Sequence, residues 1–438
     1  VNEAIARQVD EVREGLLESI DSAAPLVIVK APPGSGKTRL ILEAAAFARN
    51  RGLRVAIAAQ TNSQATDICR RLAHEFPFPV TRFHSSSTRP EDIGSLVTWV
   101  EKKADLPVGP CIAVGTTAKW GLIELEEEFD WALVDEAWQM AEADFMLLRQ
   151  VAPRFIMVGD PGQIPPVVDI DTARWATAPK PPHRPAPELL LAADSDFAPV
   201  ELALPATRRL PHDSARVVNA FYDFEFESWA EPGDRSLLAR PGGENAIDRA
   251  LDLLSAGSMA ALTLPTPIEG PPLEEDRDIA ELAAAIAMRT VERGGEILID
   301  GRRTKVWPGH IGLSATHRKM NARMTEALPA SIASEVMVDT PERWQGLERP
   351  LMIVVHPVSG VTEPTAFDLE TGRLCVMASR HQVGVIIVTR DHLPATLEEL
   401  TPRAEQHVGL RDVIGQGHAR HQEFWEKLSE SERVVSAG

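Results

Sequence analysis

Leu26–Thr38 reads LVIVKAPPGSGKT, and the fold follows from it. Leu26–Val29 is a short apolar, β-branched run of the kind that forms a buried parallel strand. Ala31–Lys37 then supplies proline and glycine, and RLILEAAAFARN after Thr38 has helical period. A strand, a glycine loop and a helix N-terminus together make a phosphate cradle, because backbone N–H groups and the positive end of the helix dipole face the anion. Pro33, Gly34, Ser35 and Gly36 line that cradle, Lys37 reaches the β- and γ-phosphates, and the Thr38 hydroxyl ligates Mg²⁺. The loop fits G-x-x-x-x-G-K-[ST] except that Ala31 stands where the first glycine is usual. Alanine is one methyl larger, so the substitution is expected to be tolerated.

The chain has 438 residues, enough for two or three domains with sizeable cores. Its composition, 44% hydrophobic and 25% charged, is ordinary for a soluble protein. No apolar run approaches a bilayer span and no signal peptide is legible, so no membrane partner is expected. Three scattered cysteines, Cys69, Cys111 and Cys375, fit neither a disulfide framework nor a zinc site, which makes a reducing cytoplasm the expected location. His418 and His421 lie in a polar helical tail and are expected at the surface. The net charge of −19 argues against coating nucleic acid through an overall field, but not against a local basic groove.

Residues 2–20 have the period of an amphipathic helix. A second strand, Val55–Ala59, ends in Gln60, Thr61 and Asn62, and a third, Ile112–Thr117, ends in Thr116 and Thr117. Polar groups at the carboxyl ends of strands are where open α/β sheets bind ligands, here the phosphates of a bound strand. Helix capping and turn chemistry would use the same residue types. Strand Trp131–Val134 runs into Asp135 and Glu136, two carboxylates with a clear use beside a phosphate loop. Asp135 holds Mg²⁺, and Glu136 polarises the water that attacks the γ-phosphate. Strand Ile156–Gly159 carries Asp160 and Gln163 at its tip, where a glutamine can touch both the γ-phosphate and the attacking water.

The ordered set APPGSGKT, AAQTNSQATD, VDEAWQM and GDPGQIPPV resembles the superfamily 1 helicases, in the branch that holds the RNA-surveillance and DNA-replication helicases. The resemblance implies an α/β fold of two RecA-like parallel-sheet domains of the P-loop NTPase class, with ATP and Mg²⁺ in the cleft between them. It implies an adenine-reading role for Gln8. The expected domains are 1–168, a Pro-rich connector at 169–199, a second domain at 200–395 with a surface insertion near 225–275, and a helical tail at 396–438. In LALPATRRLPHDS, Arg209 falls on the family's cross-domain arginine, with Arg208 as the neighbouring candidate. IGLSAT ends in Thr316, and MVDTPERWQGLERP resembles the motif in which Thr340 meets nucleic acid, Gly346 lies near the γ-phosphate and Glu348 reads the ribose. Arg349-Pro350 departs from that motif. In GRLCVMASRHQVG, Arg380 falls on the arginine finger, and Gln382 replaces the second basic residue.

The resemblance runs from about Leu26 to Val388 and implies a minimal motor with no preceding cysteine-rich module. Its implied activity is ATP-dependent translocation on single-stranded DNA or RNA, or unwinding, with 5′→3′ polarity and a possible stimulating protein partner. Two other classes stay open: a nucleoprotein-remodelling or defence-associated ATPase that opens no duplex, and a slow nucleotide-gated binding module. A nuclease is not expected, because no carboxylate cluster stands out beyond the ATP site.

Overall fold

The computed structural model describes residues 3–168, 171–175, 178–192, 198–267, 275–361, 363–399 and 413–437. Parts of the expected connector, insertion and tail (169–170, 176–177, 193–197, 268–274, 400–412) lie outside the described residues. The chain forms two units. One comprises the described residues of Glu3–Pro161 and Pro165–Pro205, and the other Gly162–Ile164 and the described residues from Ala206 onward.

The first unit is built on eight strands: β1 (Leu26–Lys30), β2 (Arg54–Ala59), β3 (Val80–Phe83), β4 (Val97–Val100), β5 (Cys111–Thr116), β6 (Trp131–Asp135), β7 (Phe155–Gly159) and β8 (Val200–Ala203). They pair in the order β4-β3-β5-β2-β6-β7-β1-β8, and every pairing is parallel. β2, β6 and β7 are buried along their whole length, which explains why they are apolar apart from Arg54 and Asp135 at strand ends and the closing Gly159. Alternation along each strand divides the side chains between two cores. Val27, Val29, Val55, Ile57, Leu133, Ile156 and Val158 meet helices α1 (Glu3–Asp21), α2 (Lys37–Asn50) and α3 (Asn62–Glu75). Ile28, Ala56, Ala58, Val134 and Met157 meet Trp120, Phe129, Trp138 and Phe145 on the opposite face. Each fully buried Val, Leu or Ile contributes roughly 1.5–3 kcal/mol.

The described part of the Pro-rich stretch packs on this unit. Ala186 N–H donates to Met140 O at 3.0 Å, Glu142 N–H donates to Arg184 O at 2.9 Å, and Ala186 is fully buried. β8, expected to open the second domain, pairs with β1 instead. Its Glu201 carboxylate also accepts an ion pair from Lys30 at 2.7 Å.

The second unit contains β9 (Ala206–Thr207), β10 (Glu227–Ser228), β11 (Arg235–Ala239), β12 (Met259–Leu264), β13 (Gly295–Ile299), β14 (Arg302–Lys305), β15 (Ile311–Ser314), β16 (Met337–Asp339), β17 (Arg349–Val355), β18 (His381–Arg390) and β19 (Val434–Ser436). Its main sheet is six-stranded and parallel, in the order β16-β15-β17-β18-β12-β19. Two cores again lie on its faces: Met352, Val354, Val385 and Ile387 on one, Leu351, Ile353, Ile386 and Val388 on the other. Two parallel sheets, each covered on both faces, are the RecA-like pair that the motifs imply.

Two expectations are corrected here. Residues 225–275 are more than a surface insertion, because β12 is an interior strand, paired with β18 on one side and β19 on the other. The tail is also part of this unit. Its helix Val413–Glu430 buries Phe424, Trp425 and Leu428, and β19 then pairs with β12. His421 is therefore fully buried rather than at the surface. His418 is half-buried, with Nε2 at 2.6 Å from Leu397 O.

Phe424 is fully buried and packs against Phe221 with ring centroids 5.1 Å apart. Phe424→Ala is expected to cost about 3–5 kcal/mol of unfolding free energy, read by urea denaturation. An exposed, dispensable tail would give no change.

Candidate nucleotide site in the first unit

The carboxyl ends of β1, β6 and β7 are neighbours because those strands pair β6-β7-β1 in parallel register. After β1 the chain turns through Gly34 and Gly36, with φ of 68° and 93°, into α2. A Cβ at Gly36 would have open space, so backbone conformation rather than room requires glycine there. Ala31 keeps a negative φ, is fully buried and donates its N–H to Gly159 O at 2.9 Å, which explains why an alanine fits the position. Ser35 Oγ is buried and has no hydrogen-bond partner. An unsatisfied buried hydroxyl costs on the order of 1–3 kcal/mol, and a phosphate oxygen in the loop would satisfy it.

Lys37 Nζ lies 3.6 Å from Glu136 Oε2 and 3.9 Å from Asp160 Oδ2, with its side chain only 10% exposed. Thr38 Oγ1 donates to Asp135 Oδ2 at 3.4 Å. Asp135 is the last residue of β6, and Glu136 follows in the left-handed region at φ 51°, a strained conformation for a non-glycine residue. That turn is held from below by Gly159. A Cβ on Gly159 would lie 2.8 Å from Ala137 N and 2.9 Å from the Trp138 ring. The strand before Asp160 must therefore end in glycine for the two acidic turns to sit side by side.

Burial, and next the neighbouring Glu136 carboxylate, push the Asp135 carboxyl up to about 7, with Lys37 opposing the shift. This donor set fits Mg²⁺. The ion takes one or two carboxylates plus substrate phosphate and water, and the pair of Thr38 hydroxyl and Asp135 carboxylate offers that half-shell. Among the described residues no group of three or more His, Cys, Asp or Glu side chains could hold a metal alone.

Four of the remaining expected residues of this unit have local partners. Thr61 caps α3 in a reciprocal capping box with Gln64, and Asn62 Oδ1 accepts from the buried Arg82 Nη2 at 2.8 Å. Thr116 caps the short helix Thr117–Gly121 by accepting from Lys119 N–H at 3.1 Å, and Thr117 Oγ1 donates to Ala59 O at 3.4 Å. Gln8 is exposed on α1. Gln163 is buried and belongs to the second unit, with Gly162 and Ile164.

In the second unit, Glu348 is gripped from two sides. Arg209 Nε donates to its Oε2 at 2.7 Å and Gln382 Nε2 to its Oε1 at 2.7 Å. Arg208 instead stacks its guanidinium over Trp229, 4.0 Å from the ring centroid, so the two adjacent arginines are used differently. Arg380 is fully buried, and its Nε donates to Val376 O at 3.3 Å. Gly346 has φ 80°. Thr340 precedes the helical turn Pro341–Trp344 without a side-chain cap bond, and Thr316 is buried after β15. Sequence reasoning missed the Lys37–Asp160 ion pair and the Asn62–Arg82 contact, since neither has a signature in one dimension.

The AAA domain family matches residues 10–180. The match covers less than half of the chain and, apart from Gly162–Ile164, lies within the first unit's residues. A helicase-type relative, the DNA replication ATP-dependent helicase/nuclease DNA2 of Saccharomyces cerevisiae, is 25% identical over 167 residues, 36% of this chain and 11% of that protein. Among solved structures, the arterivirus nonstructural protein 10 helicase is 13% identical, with a TM-score of 0.44 over 86% of this chain and 63% of that one. The same helicase in complex with DNA is 12% identical, with a TM-score of 0.43 over 86% of this chain and 64% of that one. The chain thus spans about a tenth of the yeast relative's length and less than two thirds of the viral proteins.

The Asp135 shift has a stability consequence. Its folded value lies above the unfolded one, so the folded state holds more protons between about pH 4 and pH 7. Stability of the nucleotide-free protein therefore falls as pH rises through that window, and the full cost persists above it. Asp135→Asn is expected to unfold at higher temperature than the parent at pH 8, with the difference shrinking toward pH 4. A constant difference across this range would contradict the assignment.

Proposed function

We propose that this chain is an ATP-driven translocase, acting as a helicase, on single-stranded DNA or RNA. The observation that carries the reading is the convergence of Lys37, Thr38, Asp135, Glu136 and Asp160 around a phosphate loop whose Ser35 hydroxyl is buried without a partner. In this reading Lys37 neutralises the β- and γ-phosphates, and Glu136 takes a proton from the attacking water. Mg²⁺, held by Thr38 and Asp135, supplies charge neutralisation at the phosphates when bound. Gln163 senses the γ-phosphate, and Gln8 reads the adenine.

By the resemblance, Arg209 and Arg380 are the residues expected to supply transition-state charge, Gly346 to neighbour the γ-phosphate and Glu348 to read the ribose. Thr61, Asn62, Thr116, Thr117, Thr316 and Thr340 sit at or near strand ends, where backbone and hydroxyl groups hold a strand without reading its sequence. For Thr61, Asn62, Thr116 and Thr117 the side chains are spent on local bonds, so the grip there falls to backbone N–H groups. Polarity in the 5′→3′ sense follows from the resemblance alone.

A second reading has one specific observation in its favour. Gln382 and Arg209 both bind Glu348, so the carboxylate expected at the ribose is occupied and one expected phosphate ligand is neutralised. A chain in that state is a slow, nucleotide-gated binding module.

Steady-state ATP hydrolysis without polymer, with single-stranded DNA and with single-stranded RNA separates the two. Stimulation by one polymer supports the translocase, and flat turnover with tight ATP binding supports the slow module. Glu136→Gln is expected to lower stimulated kcat by about 10²–10⁴-fold while leaving ATP binding intact. Stimulated turnover without displacement of a tailed duplex would point to a nucleoprotein-remodelling ATPase.

A further inference from the structure

β13 and β14 form a hairpin in the second unit, with Ile299 paired to Arg302 across the two-residue turn Asp300-Gly301. Both turn residues have positive φ, 48° and 81°, the geometry for which Asp-Gly is suited. The hairpin is anchored through β13: Ile297 is buried in the second unit's core, and β11 pairs along the other side of β13. β14 is thus an edge strand, and all four of its residues, Arg302, Arg303, Thr304 and Lys305, are exposed.

In a chain of net charge −19, the run Gly301–Trp307 holds three cations and no acid. The acids around it are few and compromised. Asp300 is bound by Arg235 Nη2 at 3.0 Å. Glu296 meets Arg303 at 3.4 Å in a pair exposed on both sides, the kind worth ~0–1 kcal/mol and readily exchanged for a phosphate. Among the described residues, Arg302 and Lys305 have no ion-pair partner.

Charges on an edge strand also prevent strand-to-strand aggregation, and that need alone would account for the three cations. It does not account for Trp307. This indole is 49% exposed immediately after the basic strand, an apolar surface that solubility would remove. The ring is nevertheless held in place. It lies against Gly309, where a Cβ would come within 2.3–2.7 Å of the ring, and it meets His310 edge-on at 5.3 Å and 69°. A fixed aromatic face beside a row of flexible cations is the pairing that single-stranded nucleic acid needs, stacking for a base and charge for its phosphates.

We propose that β14 and Trp307 form an additional grip on single-stranded nucleic acid. Arg303 and Lys305 hold successive phosphates, Arg302 on the opposite face of the strand adds positive charge, and the Trp307 indole stacks on an unpaired base. Arg303 and Lys305 point to the same face, about 6.6 Å apart along the strand, and their long side chains adjust to the backbone. The grip rests on the translocase reading and adds a contact outside the strand-end loops that reading uses.

The test is fluorescence anisotropy with labelled poly-thymidine and poly-uridine single strands over a salt series. The proteins compared are the parent, R302E/R303E/K305E, W307A and a Lys305→Gln variant, with thermal unfolding of each as a check of folding. Loss of the two phosphate contacts is expected to weaken binding at least about tenfold and flatten the logarithmic salt slope by about 1.4. W307A is expected to lose about tenfold with the slope retained, because stacking releases no counterion. Parental affinity and slope in all variants would overturn the hairpin grip while leaving the translocase intact. A parent that binds neither polymer would overturn both.

Discussion

The ammonium of Lys37, lodged against Glu136 and Asp160, is the interaction on which the first unit's chemistry depends. It requires three strand ends at one place: β1 delivers the loop and the start of α2, β6 delivers Asp135 and Glu136, and β7 delivers Asp160. Parallel pairing in the order β6-β7-β1 meets that requirement with no connecting loop crossing the site. The charges do not balance. One ammonium faces Asp135, Glu136 and Asp160, while burial, and next the Glu136 carboxylate, raise the Asp135 carboxyl to about 7. A site with this excess of buried negative charge favours an incoming cation, and a divalent ion arriving with a nucleotide would restore the balance. Stability given up to hold these carboxylates together is the usual cost of a site poised to bind.

The second unit repeats the sheet and not the site. Its strands are as deeply buried, but its polar ends are paired internally. Glu348 takes Arg209 and Gln382, while Arg390 is tied to Asp276 and Asp278 at 2.7 and 2.9 Å. The departure at Gln382 therefore has a structural role of its own. A neutral amide donates to Glu348 where the related motif has a cation, so the local charge balance is set by Arg209 alone. Arg349, the other departure, stacks over Trp344 at 5.8 Å and donates its N–H to Arg380 O at 3.0 Å, which uses its backbone to position the strand beside Arg380.

The readable parts of this chain were those where local chemistry and the final fold make the same demand. The phosphate loop, the acidic pair after β6 and the Gly-Asp turn after β7 each carry their signature within a few residues of sequence, and the sequence pattern sets β1, β2, β5, β6 and β7 within about a residue of their observed limits but does not reveal β3 and β4. Three further features could not be read. β8 looks like the start of a new domain because sequence order does not reveal that β1 has a free edge for it. β12, MAALTL, is six residues among glycine-rich loops, and its partners β18 and β19 are far along the chain. His421 looks like a surface residue because the helix around it is polar, yet Phe424, Trp425 and Leu428 on one face are enough to bury it. Thr61, Asn62 and Thr116 belong to residue types that serve both local bonds and phosphate contacts, and their side chains here make local bonds.

Net charge gives a final constraint on how such a protein holds a polyanion. At −19 the field of the whole chain opposes approach, but at physiological ionic strength that field decays over about 8 Å. Beyond that distance the repulsion is small, and within it only nearby groups matter. Binding then has to come from cations that stand clear of their own carboxylates. Most arginines here fail that condition: Arg13, Arg51, Arg289, Arg293 and Arg390 are each tied to an Asp or Glu. On β14 Arg302 and Lys305 meet it among the described residues, whereas Arg303 shares an exposed pair with Glu296. The abundance of acid elsewhere makes such a strand more selective rather than less, since a phosphate backbone is held only where it touches those few positions.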